Sequence, residues 1–215
     1  EEGYYIDGFK EGAWFSWFTT GIKSSEGTFS KNERSGLWLY YNKDGAVTQE
    51  LTYSNDLLNG RETKWVISSS DSLGKEYEKF WKNGELNGPA TSWIDGFRSK
   101  MITYKGESET GEEIANGPWV TWYLNSDQIM EQGFHKNNTR DGLTTYFYKN
   151  GNLKATGPFI NELMEGEWLF YRESGQLWQV GNFEYNLKHG RFIRYDKKDK
   201  VEYDKIFVKG KLVNK

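Results

Sequence analysis

The 215-residue sequence contains no cysteine, three prolines and two histidines, and 36% of its residues are hydrophobic. The absence of cysteine excludes disulfides, thiolate catalysis and cysteine-ligated zinc. No apolar run approaches the ~20 residues that a transmembrane helix needs. The 28 basic and 31 acidic residues leave a net charge of -3, which gives no electrostatic reason to expect nucleic acid as a partner.

Motifs for catalysis or metal binding are also missing. The sequence has no nucleophile elbow, no phosphate-binding loop and no paired carboxylates in a recognisable setting. His135 and His189 occupy different repeat positions, so we interpret both as surface or turn residues. One acidic cluster lacks the spacing of a calcium loop and is interpreted as a solvated insertion: Glu107, Glu109, Glu112 and Glu113. We therefore predict no enzyme, no cofactor and neither catalytic residues nor metal ligands.

Aromatic residues are abundant, with 10 Trp, 14 Tyr and 13 Phe making up 17% of the chain. The mean hydropathy of -0.85 raises the question of disorder. Disordered chains are poor in aromatic residues, however. The sequence therefore predicts a folded protein that obtains its buried apolar area from rings.

The aromatic residues recur with a period. Residues 166–189 open on Gly166, place Trp168 and Tyr171 two and five positions later, and reach Phe183 through Gly181. The same spacing predicts a half-unit at 1–11 and units at 12–35, 36–59, 60–87, 88–116, 117–141, 142–165, 166–189 and 190–215. A period in this range is typical of a repeat architecture, so we predict a single repeat domain over 1–215.

Each unit contains two short runs with strand character, separated by turn residues. Asp44-Gly45 lies between two such runs and predicts a type I′ turn, which needs positive φ at both central residues. Insertions interrupt the period near Ser70 and Glu109. The predicted fold is all-β: an elongated array of consecutive β-hairpins that forms one long twisted antiparallel sheet, with almost no helix.

Two columns of side chains distinguish the two faces of the predicted sheet, because alternate residues of a strand point to opposite faces. The fifth position after the opening glycine is aromatic in all eight units: Trp17, Tyr41, Trp65, Trp93, Trp122, Phe147, Tyr171 and Tyr195. We expect this column to form the core. The second and fourth positions are mixed, so the opposite face carries the candidate binding residues: Trp14, Trp38, Tyr40, Trp119, Trp168 and Phe170. A structural role for these rings, or a β-bulge that exchanges the faces, remains the alternative.

The unit resembles the MORN-repeat variant, the bacterial form of the membrane-occupation-and-recognition-nexus repeat. The residues that carry the resemblance are Gly166-Glu167-Trp168, Tyr171, Ser174-Gly175 and Gly181-Asn182-Phe183, which recur in Gly36-Leu37-Trp38 and Gly157-Pro158-Phe159. The resemblance implies a non-catalytic role. Similar chains are described as antitoxins of bacterial toxin–antitoxin pairs or as surface or periplasmic proteins, and eukaryotic relatives serve as scaffolds, some with claimed membrane association.

The leading functional hypothesis is a protein-binding or scaffold repeat protein, either an antitoxin or immunity-type inhibitor or a subunit of a larger assembly. The alternative is a carbohydrate or cell-wall binding module that uses rows of Trp and Tyr. We expect a protein partner, with a glycan as the alternative. Open strand edges also predict end-to-end self-association. An exported protein, periplasmic or at the cell surface, fits the resemblance, and a cytoplasmic one fits an antitoxin.

Overall fold

The computed structural model describes residues 1–67 and 72–213. Within these ranges the chain consists of β-strands joined by turns, without a helix. Its contacts divide it into two units, Glu1–Ile114 and Ala115–Lys215, called unit 1 and unit 2 below. The predicted all-β fold of consecutive antiparallel hairpins is confirmed. The assignment of 1–215 to one repeat domain stays a prediction.

Consecutive strands pair side by side in each unit. Unit 1 contains β1 (Glu2–Ile6), β2 (Phe9–Trp17), β3 (Lys23–Ser30), β4 (Glu33–Tyr41), β5 (Val47–Ser54), β6 (Leu57–Ile67), β7 (Leu73–Lys82), β8 (Glu85–Ile94) and β9 (Phe97–Glu107). Strand β10 (Glu113–Trp122) crosses the unit boundary and pairs with β11. The rest of unit 2 is β11 (Ile129–Lys136), β12 (Thr139–Arg140), β13 (Gly142–Phe147), β14 (Leu153–Ile160), β15 (Leu163–Met164), β16 (Gly166–Tyr171), β17 (Leu177–Glu184), β18 (Leu187–Tyr195), β19 (Val201–Val208) and β20 (Lys211–Leu212).

Two kinds of turn alternate along most of the chain. Two-residue turns such as Asn55-Asp56 have both residues in the left-handed region, with φ of 50° and 61°. At Asp44-Gly45 only the glycine has positive φ, 83°, and its N–H donates to the carbonyl of Asn42 in a wider turn. The type I′ turn predicted at Asp44-Gly45 is therefore wrong. That geometry belongs to the other connection, where asparagine and aspartate tolerate the left-handed region.

The insertion around Glu109 closes as a tight turn. The Ser108 N–H donates to the Glu112 carbonyl at 2.8 Å, and the Gly111 N–H donates to the Ser108 carbonyl at 2.9 Å. The insertion predicted near Ser70 falls at residues 68–71, outside the described residues.

Edge-to-face aromatic rings form the core on one side of the sheet, which we call the ring face. In unit 1 the chain of rings is Tyr5, Trp14, Phe29, Trp38 and Tyr53, with neighbouring centroids 5.0 to 6.5 Å apart. In unit 2 it is Phe159, Trp168, Phe183, Phe192 and Phe207, at 5.2 to 6.4 Å. Such pairs stabilise beyond the area that they bury, so each chain of rings joins neighbouring hairpins.

The expectation that the position-five column forms the core is wrong. Those rings lie on the opposite side of the sheet and are less buried, as the exposed fractions of Trp17 (40%) and Trp168 (2%) show. Strand glycines determine which side of the sheet forms the core, because an indole can pack directly against the backbone of a glycine. Gly157 has no side chain, so the Trp168 indole lies flat on its strand, and a Cβ at Gly157 would overlap that indole. Gly27 accommodates Trp38 in the same way.

Side chains of the two-residue turns tie neighbouring hairpins together. The backbone N–H of Arg34 donates to Oδ1 of Asp56 at 3.0 Å, and the Asp56 N–H donates back to the Arg34 carbonyl at 3.1 Å. Met164 and Asn186 repeat the arrangement at 2.7 and 3.2 Å. We call this reciprocal pair a turn clamp. It satisfies backbone groups that the strand ladder leaves unpaired.

Candidate binding surfaces

The structure places the six predicted binding residues on the ring face. Trp14, Trp38, Trp119 and Trp168 are buried. Half-buried Tyr40 and Phe170 stack on Trp38 and Trp168, with centroids 6.4 and 6.1 Å apart. The expectation that this column faces outward is therefore wrong for the four tryptophans, and a binding role for the six residues stays a prediction. A signal for this arrangement is present in the sequence. Strand glycines pair opposite Trp14, Trp119 and Trp168, whereas Trp38 is paired with Leu51. The regular aromatic residues at position five make this signal hard to recognise.

Three of the six residues meet at a small pocket in unit 1. Trp14, Trp38 and Tyr40 line a space of about 170 Å³ together with Arg34 and the hydroxyls of two serines. Arg34 is held in place, because its guanidinium binds the Asp56 carboxylate at 2.8 Å and the Tyr53 hydroxyl at 2.9 Å. The Arg34 hydrogen bonds lower the pKa of Asp56. In unit 2, Trp168 and Phe170 contact each other, and Trp119 stacks on His135 with centroids 5.5 Å apart.

The other side of the sheet, called the open face, presents positions one, three and five of each hairpin. In unit 2 it forms an apolar trough of about 560 Å³ across β10, β11 and β13. Its lining side chains include Pro118, Val120, Phe134, Leu143 and Thr145. Leu143 is 63% exposed and Phe134 is 45% exposed. Sequence reasoning missed this surface because it assigned the open face to the core.

The open face of unit 1 carries a row of ion pairs that the trough of unit 2 lacks. A carboxylate lies between each pair of neighbouring hairpins, and each has a basic partner: Glu26 with Lys23 at 2.6 Å, Glu50 with Arg61 at 3.4 Å and Glu78 with Lys75 at 2.9 Å. The pKa of Glu26 is lowered, first by the hydrogen bond from Lys23 and then by one from Tyr41. Burial raises the pKa of Tyr41 to about 12, and the hydrogen bond to Glu26 contributes to the increase. This face therefore carries balanced charges.

A buried carboxylate replaces the ring at position two of the third hairpin. Glu62 is 6% exposed and accepts hydrogen bonds from Gln49 at 3.0 Å, Tyr77 at 2.8 Å and Trp81 at 2.7 Å. Burial and the bond to Glu62 raise the pKa of Tyr77. Three neutral donors compensate the desolvation of the carboxylate, so this polar cluster stands in for the missing ring contacts.

A comparison with protein-family models gives three matches. The model described as MORN repeat variant matches residues 34–55, 140–161 and 164–185. Each match begins two residues after a two-residue turn and ends on the first residue of the next, so it covers one hairpin and its wider turn. The chain contains MORN-repeat variants. MORN repeats are generally associated with binding or scaffold roles. A comparison with curated proteins gave no match.

The two histidines lie outside the three matched ranges. His135 is half-buried on β11 and stacks on Trp119, and His189 is half-buried on β18, so neither lies in a turn. His189 Nδ1 lies 2.9 Å from a Glu184 carboxylate oxygen. Across 1–67 and 72–213, no three His, Cys, Asp or Glu side chains gather as metal ligands. The same ranges contain no helix that is long and apolar enough to cross a membrane.

Proposed function

We propose that this chain is a non-catalytic MORN-repeat protein that binds a protein partner at the apolar trough of unit 2. The observation that supports the proposal is the exposure of Leu143 and Phe134 beside that trough. Contiguous exposed apolar surface typically marks an interaction site. Single apolar residues scattered over a surface are common and would not indicate a binding site.

The lining of the trough defines the chemistry of the partner. Asp141 is its one ionisable residue, and the others are apolar, glycine or uncharged polar residues. Its volume of about 560 Å³ falls within the range of about 300–1,000 Å³ of ordinary binding pockets. We therefore infer that the partner contributes an apolar segment that lies across β10, β11 and β13. An antitoxin or immunity-type inhibitor is one specific form of this hypothesis.

Carbohydrate binding is the second candidate. The pocket formed by Trp14, Trp38 and Tyr40 favours it, because ring edges, serine hydroxyls and Arg34 together offer the stacking and hydrogen-bonding groups that suit a sugar. The burial of both indoles counts against it, since Trp14 and Trp38 are only 5% and 7% exposed.

Two substitutions at position one provide a matched test. Leu143→Lys changes the trough, whereas Leu37→Lys changes an equally placed leucine, half-exposed on the open face of unit 1. Both should alter the free energy of unfolding by less than about 0.5 kcal/mol, as surface changes do. We expect Leu143→Lys to abolish the binding of a purified partner in calorimetry while Leu37→Lys retains it. Equal binding by both variants would contradict the proposal, and binding to a glycan array that is lost in Tyr40→Ala would favour the alternative.

A further inference from the structure

The ring face of unit 1 lacks its ring at the fourth hairpin. Position two is Ala90 there, half-exposed, where Trp14 and Trp38 are buried in the equivalent hairpins. A pocket of about 190 Å³ surrounds Ala90. Ile102 is the cross-strand partner of Ala90. Ser92, two residues further along the strand and on the same face, is paired with Tyr77 on one side and Lys100 on the other. The omission of one ring therefore leaves a bounded pocket.

The size of the pocket suits a single aromatic ring. A cavity of ~150 Å³ lined by apolar side chains is known to hold benzene. Here Ala90 and Ile102 contribute apolar lining, and Tyr77 and Tyr104 contribute aromatic rings. Burial raises the pKa of the Tyr104 phenol, so the wall stays neutral at ordinary pH.

The charge of the pocket suits an anion. Its lining contains two lysines, Lys79 and Lys100, and no carboxylate. The Lys79 ammonium lies 4.8 Å from the centroid of the Tyr77 ring, and within the described residues neither lysine forms an ion pair. Glu62 is the cross-strand partner of Lys79, but its carboxylate already accepts three hydrogen bonds, from Gln49, Trp81 and the pocket residue Tyr77. The two ammonium groups therefore remain available to a ligand.

We propose that this pocket binds a small aryl carboxylate. The ring of the ligand lies over Ala90 between Tyr77 and Tyr104, where it replaces the missing ring of the column. Its carboxylate binds Lys79 and Lys100 by charge-assisted hydrogen bonds, which are stronger than neutral ones. The site is on the ring face of unit 1 and is independent of the protein partner proposed for the open face of unit 2.

Calorimetric titration of the whole chain with benzoate tests the proposal, with benzamide as the neutral probe and inorganic phosphate as an anion without a ring. We expect saturable binding of one benzoate per chain, with an affinity at least about tenfold above that of either control, because both the ring and the charge contribute. Absent benzoate binding, or equal binding of the three probes, would overturn the proposal.

Variants locate the site and provide controls. Ala90→Leu should abolish benzoate binding by filling the pocket, whereas Ala13→Leu, an exposed alanine on the open face, should leave it unchanged. Lys100→Gln should weaken binding about tenfold, and the exposed Lys205→Gln should not. Benzoate binding that survives Ala90→Leu, in a variant with an unchanged circular dichroism spectrum, would refute this location. The three-probe comparison uses the unsubstituted chain and holds even where a variant fails to fold.

Discussion

The contact between Gly157 and Trp168 gives the sharpest test of how these hairpins pack. Trp168 is almost fully buried, contacts Phe159, Phe170 and Phe183, and donates from its indole N–H to the Pro158 carbonyl at 3.2 Å. Trp168→Ala should therefore lower the free energy of unfolding by about 3–5 kcal/mol, the range for a buried ring. Tyr171→Ala, at position five of the same strand, should cost less than half of that because its ring is only half-buried.

Gly157→Ala isolates the reason for this arrangement. The backbone φ of Gly157 is not in the left-handed region, so alanine adds no backbone strain there. Its Cβ would instead overlap the Trp168 indole, which neighbouring rings hold in place, and overpacking of this kind costs about 1–3 kcal/mol. In a Trp168→Ala background the overlap disappears, and Gly157→Ala should be neutral or stabilise by up to about 1 kcal/mol.

Equilibrium urea unfolding of the four proteins in this double-mutant cycle measures the coupling. Gly74→Ala is the matched control, because a Cβ at Gly74 has no atom of the described residues within 4 Å. We expect a coupling of at least about 1 kcal/mol between Gly157 and Trp168. If Gly157→Ala cost the same in both backgrounds, strand glycine would not be what determines the position of the ring.

Two further changes address the polar contacts. Glu62→Gln should lower the free energy of unfolding by about 1–3 kcal/mol in thermal or urea melts. The reason is that the amide places its own donor against the donors of Gln49, Tyr77 and Trp81. An effect no larger than that of the exposed control Glu33→Gln would contradict this prediction. Asp56→Ala removes a turn clamp and should cost about 1 kcal/mol, with Asp44→Ala as the control. Because the folded pKa of Asp56 is lowered, its contribution is fully present above the ordinary pKa of 3.8 and is lost as the pH falls through the lower folded value. The difference between Asp56→Ala and the unsubstituted chain should therefore shrink below that pH, and a difference that persists in acid would argue against the ionic part of the clamp.

The period, strands and hairpins could be predicted from the sequence because they depend on local signals. Opening glycines and paired turn residues recur in every unit, and each acts on residues a few positions away. The choice between the two turn types could not be made from Asp44-Gly45 alone, because the wide turn also needs one left-handed glycine. Asn55-Asp56 takes the type I′ geometry although it contains no glycine.

The regularity of a column does not indicate which face of the sheet is buried. Position five is aromatic in every unit, yet ring packing depends on a residue of the neighbouring strand, such as Gly27 for Trp38. That glycine lies in the previous hairpin, so only the strand register shows the pairing. The polar cluster at Glu62 likewise draws donors from 13, 15 and 19 residues away, and its geometry needs the folded sheet. The pocket at Ala90 becomes visible only once the ring face is identified.

Hydroxyl-radical footprinting with mass spectrometry can show which face of the sheet forms the core, because it reports the solvent accessibility of each tryptophan in one experiment. We expect Trp14, Trp38 and Trp168 to be protected in the folded chain while Trp17 is oxidised readily. With a partner bound, protection should extend to Phe134 and Leu143 on the open face of unit 2 and leave the ring face unchanged. Ready oxidation of Trp168 with protection of Trp17, or partner-dependent protection confined to the ring face, would contradict the account.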